Sequence, residues 1–209
     1  MWKGKYSEKL VNNKIQELPE EYVIFNDLLF ESNGYSTQID HIVVSPYGVF
    51  VIETKGYKGW ILGGENSEYW TQTIYKSKHQ FYNPIKQNAG HVRFLRHLLR
   101  CSVDIPFIPI VVFNNDAELK VHIVNSLVVN RYSLKRTILQ HRTSVLNQET
   151  TDWIVRTINQ NRIIADKEKL KQHKHNAKAR QYRSSDLINQ GICPQCGGCL
   201  LYTSPSPRD

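Results

Sequence analysis

The sequence predicts an α/β domain in which a mixed central sheet is flanked by helices. Three observations carry that expectation. Gly4, Glu8, Val11, Ile15 and Leu18 recur at helical spacing, so residues 4–18 read as a first helix, stopped by Pro19. Two apolar, β-branched runs, Gln38–Val44 and Val49–Lys55, flank Ser45-Pro46-Tyr47-Gly48, which reads as two strands joined by a hairpin. Asn83-Pro84 sets an N-cap residue before a proline at the first helical position. Beyond that helix, the nearly continuous apolar run Ile105–Phe113 suits a buried strand.

Taken in order, the first helix has one odd member. Glu8 is a carboxylate on the stripe that should meet the core; it either sits at the edge and reaches water or turns toward the hairpin. Tyr22–Phe30 reads as a first strand, and Ser32-Asn33-Gly34 as a turn. After the hairpin, Gly56–Gly64 is glycine-rich and aromatic, and Trp70-Thr71-Gln72 follows. This stretch reads as loops with a short irregular strand or two, its aromatics either packing over the sheet or stacking on bases. The helix from Pro84 to about Arg100 has Ile85, Ala89, Val92, Leu95 and Leu99 as its apolar stripe and a basic remainder. Gln87, in its first turn, points either at the hairpin or into solvent. A further strand is expected over Val121–Val129. Ser133-Leu134 opens a short helix, and Thr150 or Thr151 caps a last one.

The hairpin concentrates the chemistry. With Pro46 and Tyr47 as its loop, Ser45 pairs with Gly48, and the register carried outward sets Asp40 opposite Glu53. Directly opposed residues on one face have Cβ atoms roughly 4.5–5.5 Å apart, and like charges there are destabilising. A hard divalent cation with oxygen ligands is the simplest thing to stand between them. Lys55 lies two residues past Glu53 and projects from the same face. Two acids and an ammonium are equipment for holding a metal against a phosphate. A bulge would shift the register by one residue, and a solvated hairpin face carrying the same three residues is the plainer alternative.

The 209 residues suffice for one good-sized core with a small appendage, and 40% hydrophobic with 22% charged residues is a globular composition. The net charge of +8 and a pI near 9.3 favour an anionic partner such as nucleic acid. No stretch is apolar enough to span a bilayer, and Met1–Tyr6 lacks an apolar signal core, so no membrane partner and a cytoplasmic location are expected. Oligomeric state is not legible.

The organisation expected is one α/β domain over 1–160, a basic helical linker over 161–190, a partial zinc-ribbon knuckle over 191–200 and a non-native tail over 201–209. Between Arg162 and Arg183, eight cations stand against Asp166 and Glu168, a charge that attracts a phosphate backbone or simply solubilises a tether. Cys193, Cys196 and Cys199 form a Cys-x-x-Cys-x-x-Cys run, which supplies part of a tetrahedral Zn2+ site but not a closed one. A second Cys pair is expected in a longer chain.

Glu8, Gln38-Ile39-Asp40-His41, Gly48–Lys55 with its Glu53-Thr54-Lys55 end, Gly59-Trp60-Ile61, Trp70-Thr71-Gln72 and Tyr82–Asn88 together resemble the nuclease-related domain (NERD) family. That family is placed in the PD-(D/E)XK phosphodiesterase superfamily. The resemblance covers roughly residues 4–130 and implies a restriction-endonuclease-like αβββαβ core. Ser7 stands where the family usually has Gly, and Cys193–Gly198 resembles the start of a topoisomerase-type zinc finger. The resemblance implies that Asp40 and Glu53 ligate Mg2+ or Mn2+, helped by the Thr54 carbonyl, with Glu8 assisting directly or through water. It further implies that Lys55 orients the attacking water or steadies the growing phosphate charge, and that Gln87 positions substrate. A metal-dependent nuclease acting on DNA is the expected function. A nucleic-acid-binding module that keeps the fold without turnover is the alternative, and a thiol-based redox or zinc-only structural protein rests on the Cys run alone.

Overall fold

The computed structural model describes residues 2–32, 35–100 and 104–163. They belong to a compact unit spanning 1–163, divided from 164–209. Ile163 is still part of that unit, because its N–H donates to the Leu29 carbonyl at 2.8 Å. The expectations for the basic segment beyond it, for Cys193, Cys196 and Cys199, and for the tail fall outside the described residues, as does most of the Ser32-Asn33-Gly34 turn.

The elements are α1 (Trp2–Ile15), β1 (Val23–Ser32), β2 (Tyr35–Ser45), β3 (Gly48–Lys55), β4 (Gly59–Gly64), β5 (Tyr69–Ile74), β6 (Ser77–Tyr82), α2 (Pro84–Leu98), β7 (Phe107–Phe113), β8 (Ala117–His122), β9 (Leu127–Asn130), α3 (Arg131–Leu139) and α4 (Gln148–Asn161). β1, β2, β3, β7 and β9 form a mixed sheet in that order. β1–β2 and β2–β3 are antiparallel; β3–β7 and β7–β9 are parallel. The order α1, β1–β3, α2, β7 is the αβββαβ arrangement of a restriction-endonuclease-like fold.

The mixed sheet is buried on both faces, as its continuous apolar runs require. One face packs Ile42, Val44, Val49 and Val51 under Leu95 of α2 and Ile154 and Ile158 of α4. The other packs Val43, Phe50 and Ile52 under Val11 and Ile15 of α1 and Leu134 and Ile138 of α3. Fully burying each such side chain contributes about 1.5–3 kcal/mol, so the strand ends are held by cores above and below. The hairpin has the expected two-residue loop, with Ser45 opposite Gly48 and Val44 opposite Val49. Gly48 is required there: its φ is +129°, and a Cβ would lie 2.6 Å from Ile108 Cδ1 and 2.9 Å from the Pro106 carbonyl.

Several expectations are corrected. The first helix ends at Ile15 rather than Leu18, its last residues forming a turn in which the Leu18 N–H donates to the Ile15 carbonyl. The stretch read as loops is a second, regular sheet ordered β6-β5-β4-β8. Its inner face buries Ile61, Trp70 and Phe81 against Val111 and Phe113 of β7, and Trp70 stacks on Phe113 at 6.1 Å. Gly63 makes room for this, since a Cβ there would meet the Trp70 ring at 2.4 Å. The expected strand over Val121–Val129 is two strands in different sheets, because the chain crosses from β8 to β9 between them. α3 starts at Arg131, and α4 is capped by Asn147, whose side chain accepts from the Thr150 N–H, rather than by Thr150 or Thr151.

Candidate active site

β2 and β3 pair as far as His41 opposite Ile52. One step further, Asp40 faces Glu53. Asp40 follows Ile42 and Val44 by alternation, and Glu53 follows Val49 and Val51, so both project from the face covered by α2. There the ladder ends, and Asp40 Oδ2 instead accepts the Thr54 backbone N–H at 2.8 Å. β3 continues beside β7, with Glu53, Thr54 and Lys55 opposite Val111, Val112 and Phe113. The acids thus lie where one neighbouring strand leaves and the other stays.

Glu53 is 3% exposed. Its Oε1 accepts from Lys55 Nζ at 2.8 Å, and its Oε2 lies 3.2 Å from His91 Nε2. Burial alone would raise its pKa; the Lys55 ammonium and His91 more than offset this and hold it below the usual range. Burial likewise opposes the Lys55 charge, but Glu53 overcomes it and raises the lysine pKa. Lys55 Nζ also donates to Gln87 Oε1 at 2.8 Å, so Gln87 does turn inward, toward the lysine.

Asp40 is treated differently. Burial, then the negative charge of Glu53, push its carboxyl well above the usual carboxylate range. The Thr54 N–H pulls the other way, and Glu8 adds repulsion. The half-buried Glu8 therefore faces this cluster from α1. Among the described residues the ion pairs of the cluster run to Glu53, not to Asp40. Asp40 is thus a partly buried acid beside another acid. The donor set fits a divalent cation on that ground. Among the described residues no three His, Cys, Asp or Glu side chains form a metal cage of their own. Mg2+ does not need one, because it usually keeps waters and takes one or two carboxylates plus substrate oxygens.

His91 is the member that sequence reasoning missed. Its Nδ1 lies 3.1 Å from Thr37 Oγ1 on β2, so it bridges that strand to Glu53. The missed signal is its spacing of four from Gln87, which puts both on one helix face. The apolar stripe expected for α2 is widened: Val92, Leu95 and Leu99 pack on the central core and Ile85 on the second sheet, but polar residues are buried beside them. The buried face is Pro84, Asn88, His91 and Leu95, with Asn88 Nδ2 donating to the Val51 and Ile110 carbonyls at 2.8 and 3.2 Å. Ser7 is buried in α1, and its hydroxyl accepts from Asn114 Nδ2 at 3.0 Å, which ties the helix to the end of β7. Asn83 both caps α2 and donates to the Glu65 and Ser67 carbonyls, which locks the helix start to the second sheet.

An acid on β2, an acid and a lysine two residues apart on β3, and an αβββαβ core are together consistent with the PD-(D/E)XK class of nuclease-related folds. A sequence model of the nuclease-related domain matches residues 3–114, more than half of the chain. An uncharacterized protein of Bacillus anthracis is 36% identical over 188 residues, covering 86% of this chain and 87% of that relative. The chain belongs to the nuclease-related domain family. No solved structure matches it. Among the described residues, no helix is long and apolar enough to cross a membrane.

Proposed function

We propose that this chain is a metal-dependent nuclease that hydrolyses phosphodiester bonds in DNA. The observation that carries the reading is the partly buried Asp40 beside buried Glu53 on one sheet face, with Lys55 bonded to only one of them. Asp40, Glu53 and the Thr54 carbonyl would hold Mg2+ or Mn2+, with Glu8 assisting directly or through water. In a strand, a residue's N–H and C=O point to the same neighbour. The Thr54 carbonyl is therefore directed to the side where its N–H meets Asp40. A cation bound there would polarise a phosphoryl oxygen and lower the pKa of its water. Lys55 presents its ammonium to the attacking water and to the charge that grows on the phosphate. Glu53 and Gln87 aim that ammonium, and His91 holds Glu53. The chain's net charge of +8 favours a polyanionic substrate.

The test is cleavage of supercoiled plasmid and of single-stranded circular DNA with Mg2+ or Mn2+. The chain should cut, and Asp40→Ala and Lys55→Ala should each lose about 10²-fold or more in rate. Unchanged cleavage in both variants would remove the assigned site. Salt-dependent DNA binding without cutting under either metal would favour the non-catalytic binding module.

A further inference from the structure

The second sheet has one face packed on β7 and one open to solvent. Ile61 points inward, and its neighbours on β4, Trp60 and Leu62, point out, 49% and 39% exposed. Register extends this outer face across the sheet. Trp60 lies opposite Thr73, which lies opposite Lys78; Leu62 lies opposite Lys120. Near the other end of the sheet the exposed rings of Tyr69 and Tyr82 meet edge-on at 6.1 Å. An isolated exposed aromatic needs no explanation, but several on one open face mark a binding surface.

The spacing of charge among these rings indicates what binds. Lys120 Nζ sits 3.8 Å from the centroid of the half-exposed Trp60 ring, and Lys78 flanks the same row. Glu118 also lies on this face, and it pairs with Lys120 at 3.2 Å. Flat rings interleaved with ammonium groups stack bases while holding phosphates. A duplex keeps its base faces stacked on each other, so only an unpaired strand can offer them. The surface also extends toward Lys55. A cleft of about 540 Å³ at Lys55 and one of about 420 Å³ at Trp60 share Lys58, Ile74 and Asp116 as walls.

We propose that the open face of the β6-β5-β4-β8 sheet binds single-stranded nucleic acid and leads the strand to Lys55. The leading rests on the nuclease reading; the binding does not. Fluorescence anisotropy in EDTA, which stops cutting, measures binding of labelled oligothymidylate, oligouridylate and duplex DNA of about 20 nucleotides. The single strands should bind more tightly than the duplex, and the two homopolymers compare DNA with RNA. Trp60→Ala should weaken single-strand binding at least about fivefold while leaving the thermal midpoint and the salt slope unchanged. Trp60→Phe should restore most of the affinity, and Lys78→Ala should lower the salt slope by about one. Single-strand affinity unchanged in both Trp60→Ala and Tyr82→Ala would overturn the proposal, as would an equal loss for duplex or no nucleic-acid binding at all. A chain that binds through Trp60 but cuts nothing sinks only the nuclease reading. One that cuts through Asp40 but ignores Trp60→Ala sinks only the platform.

Discussion

Glu53 stays ionised in a buried position because two donors converge on it, and removing either exposes the cost. His91 touches no reacting atom in the proposed chemistry; it orients a carboxylate through Nε2 and is itself held by Thr37. Partners that orient metal ligands typically carry 10- to 100-fold in affinity or activity. His91→Ala should therefore weaken Mn2+ uptake by about 10- to 100-fold, measured by titration calorimetry, and His91→Gln should recover part of it. Equal affinity in wild type and His91→Ala would show the contact to be passive packing.

His41 is buried on β2 beside Asn26, whose Oδ1 lies 2.7 Å from its Nδ1. Desolvation lowers its pKa from 6.5 to about 4, against the opposing pull of the Glu53 and Asp27 charges. The folded state thus prefers neutral histidine. That contribution is intact above the unfolded pKa near 6.5 and fades as pH falls toward 4. The difference corresponds to about 3 kcal/mol. Chemical denaturation in EDTA across this range should show wild type losing stability with acid more steeply than His41→Gln. Parallel curves for the two would show that His41 does not carry the acid sensitivity.

At the scale of elements, the hairpin was legible because its register follows from one Pro-Tyr loop and alternating apolar residues. The same counting put Asp40 opposite Glu53. α2 was only half legible. Its cap and start are local chemistry at Asn83-Pro84. Its inward face is set by what lies beneath it, and Asn88 and His91 are buried because β3 and β7 offer them carbonyls and a carboxylate. A periodicity count that scores only apolar residues finds Leu95 and Leu99 on the inward face but passes over Asn88 and His91 beside them. The second sheet was missed for a related reason. β4–β6 are six residues each and bury few apolar side chains, Ile61, Trp70 and Phe81 among them, so their strand signal emerges when Trp70 and Phe81 find Phe113.

That dependence carries its own prediction. Trp70 is fully buried, its indole N–H donates to the Gly64 carbonyl at 2.9 Å, and Gly63 leaves space for its ring. Trp70→Ala should destabilise the protein by about 3–5 kcal/mol, read by denaturant unfolding. A loss under about 1 kcal/mol would mean that the second sheet does not depend on this anchor.

At the scale of the molecule, two cores clamp a mixed sheet, and the clamp holds a pair of acids that folding alone would not favour. Asp40 shows the tension most clearly. Its folded pKa is raised, so its ionised form opposes folding at neutral pH, and whatever neutralises it should stabilise the whole unit. A bound cation and Asp40→Asn should each do this, by different routes, because asparagine can still accept the Thr54 N–H. A ligand at about 100 times its Kd contributes about 2.7 kcal/mol, enough to move the thermal midpoint by several degrees.

Thermal unfolding with and without Mn2+, in wild type and Asp40→Asn, tests the divalent-cation site most directly. Wild type should gain several degrees from the ion, whereas Asp40→Asn should start higher in EDTA and gain almost nothing. If wild type ignores Mn2+, or Asp40→Asn responds to it as fully as wild type does, the acids at 40 and 53 do not hold a cation, and the proposed chemistry fails with them.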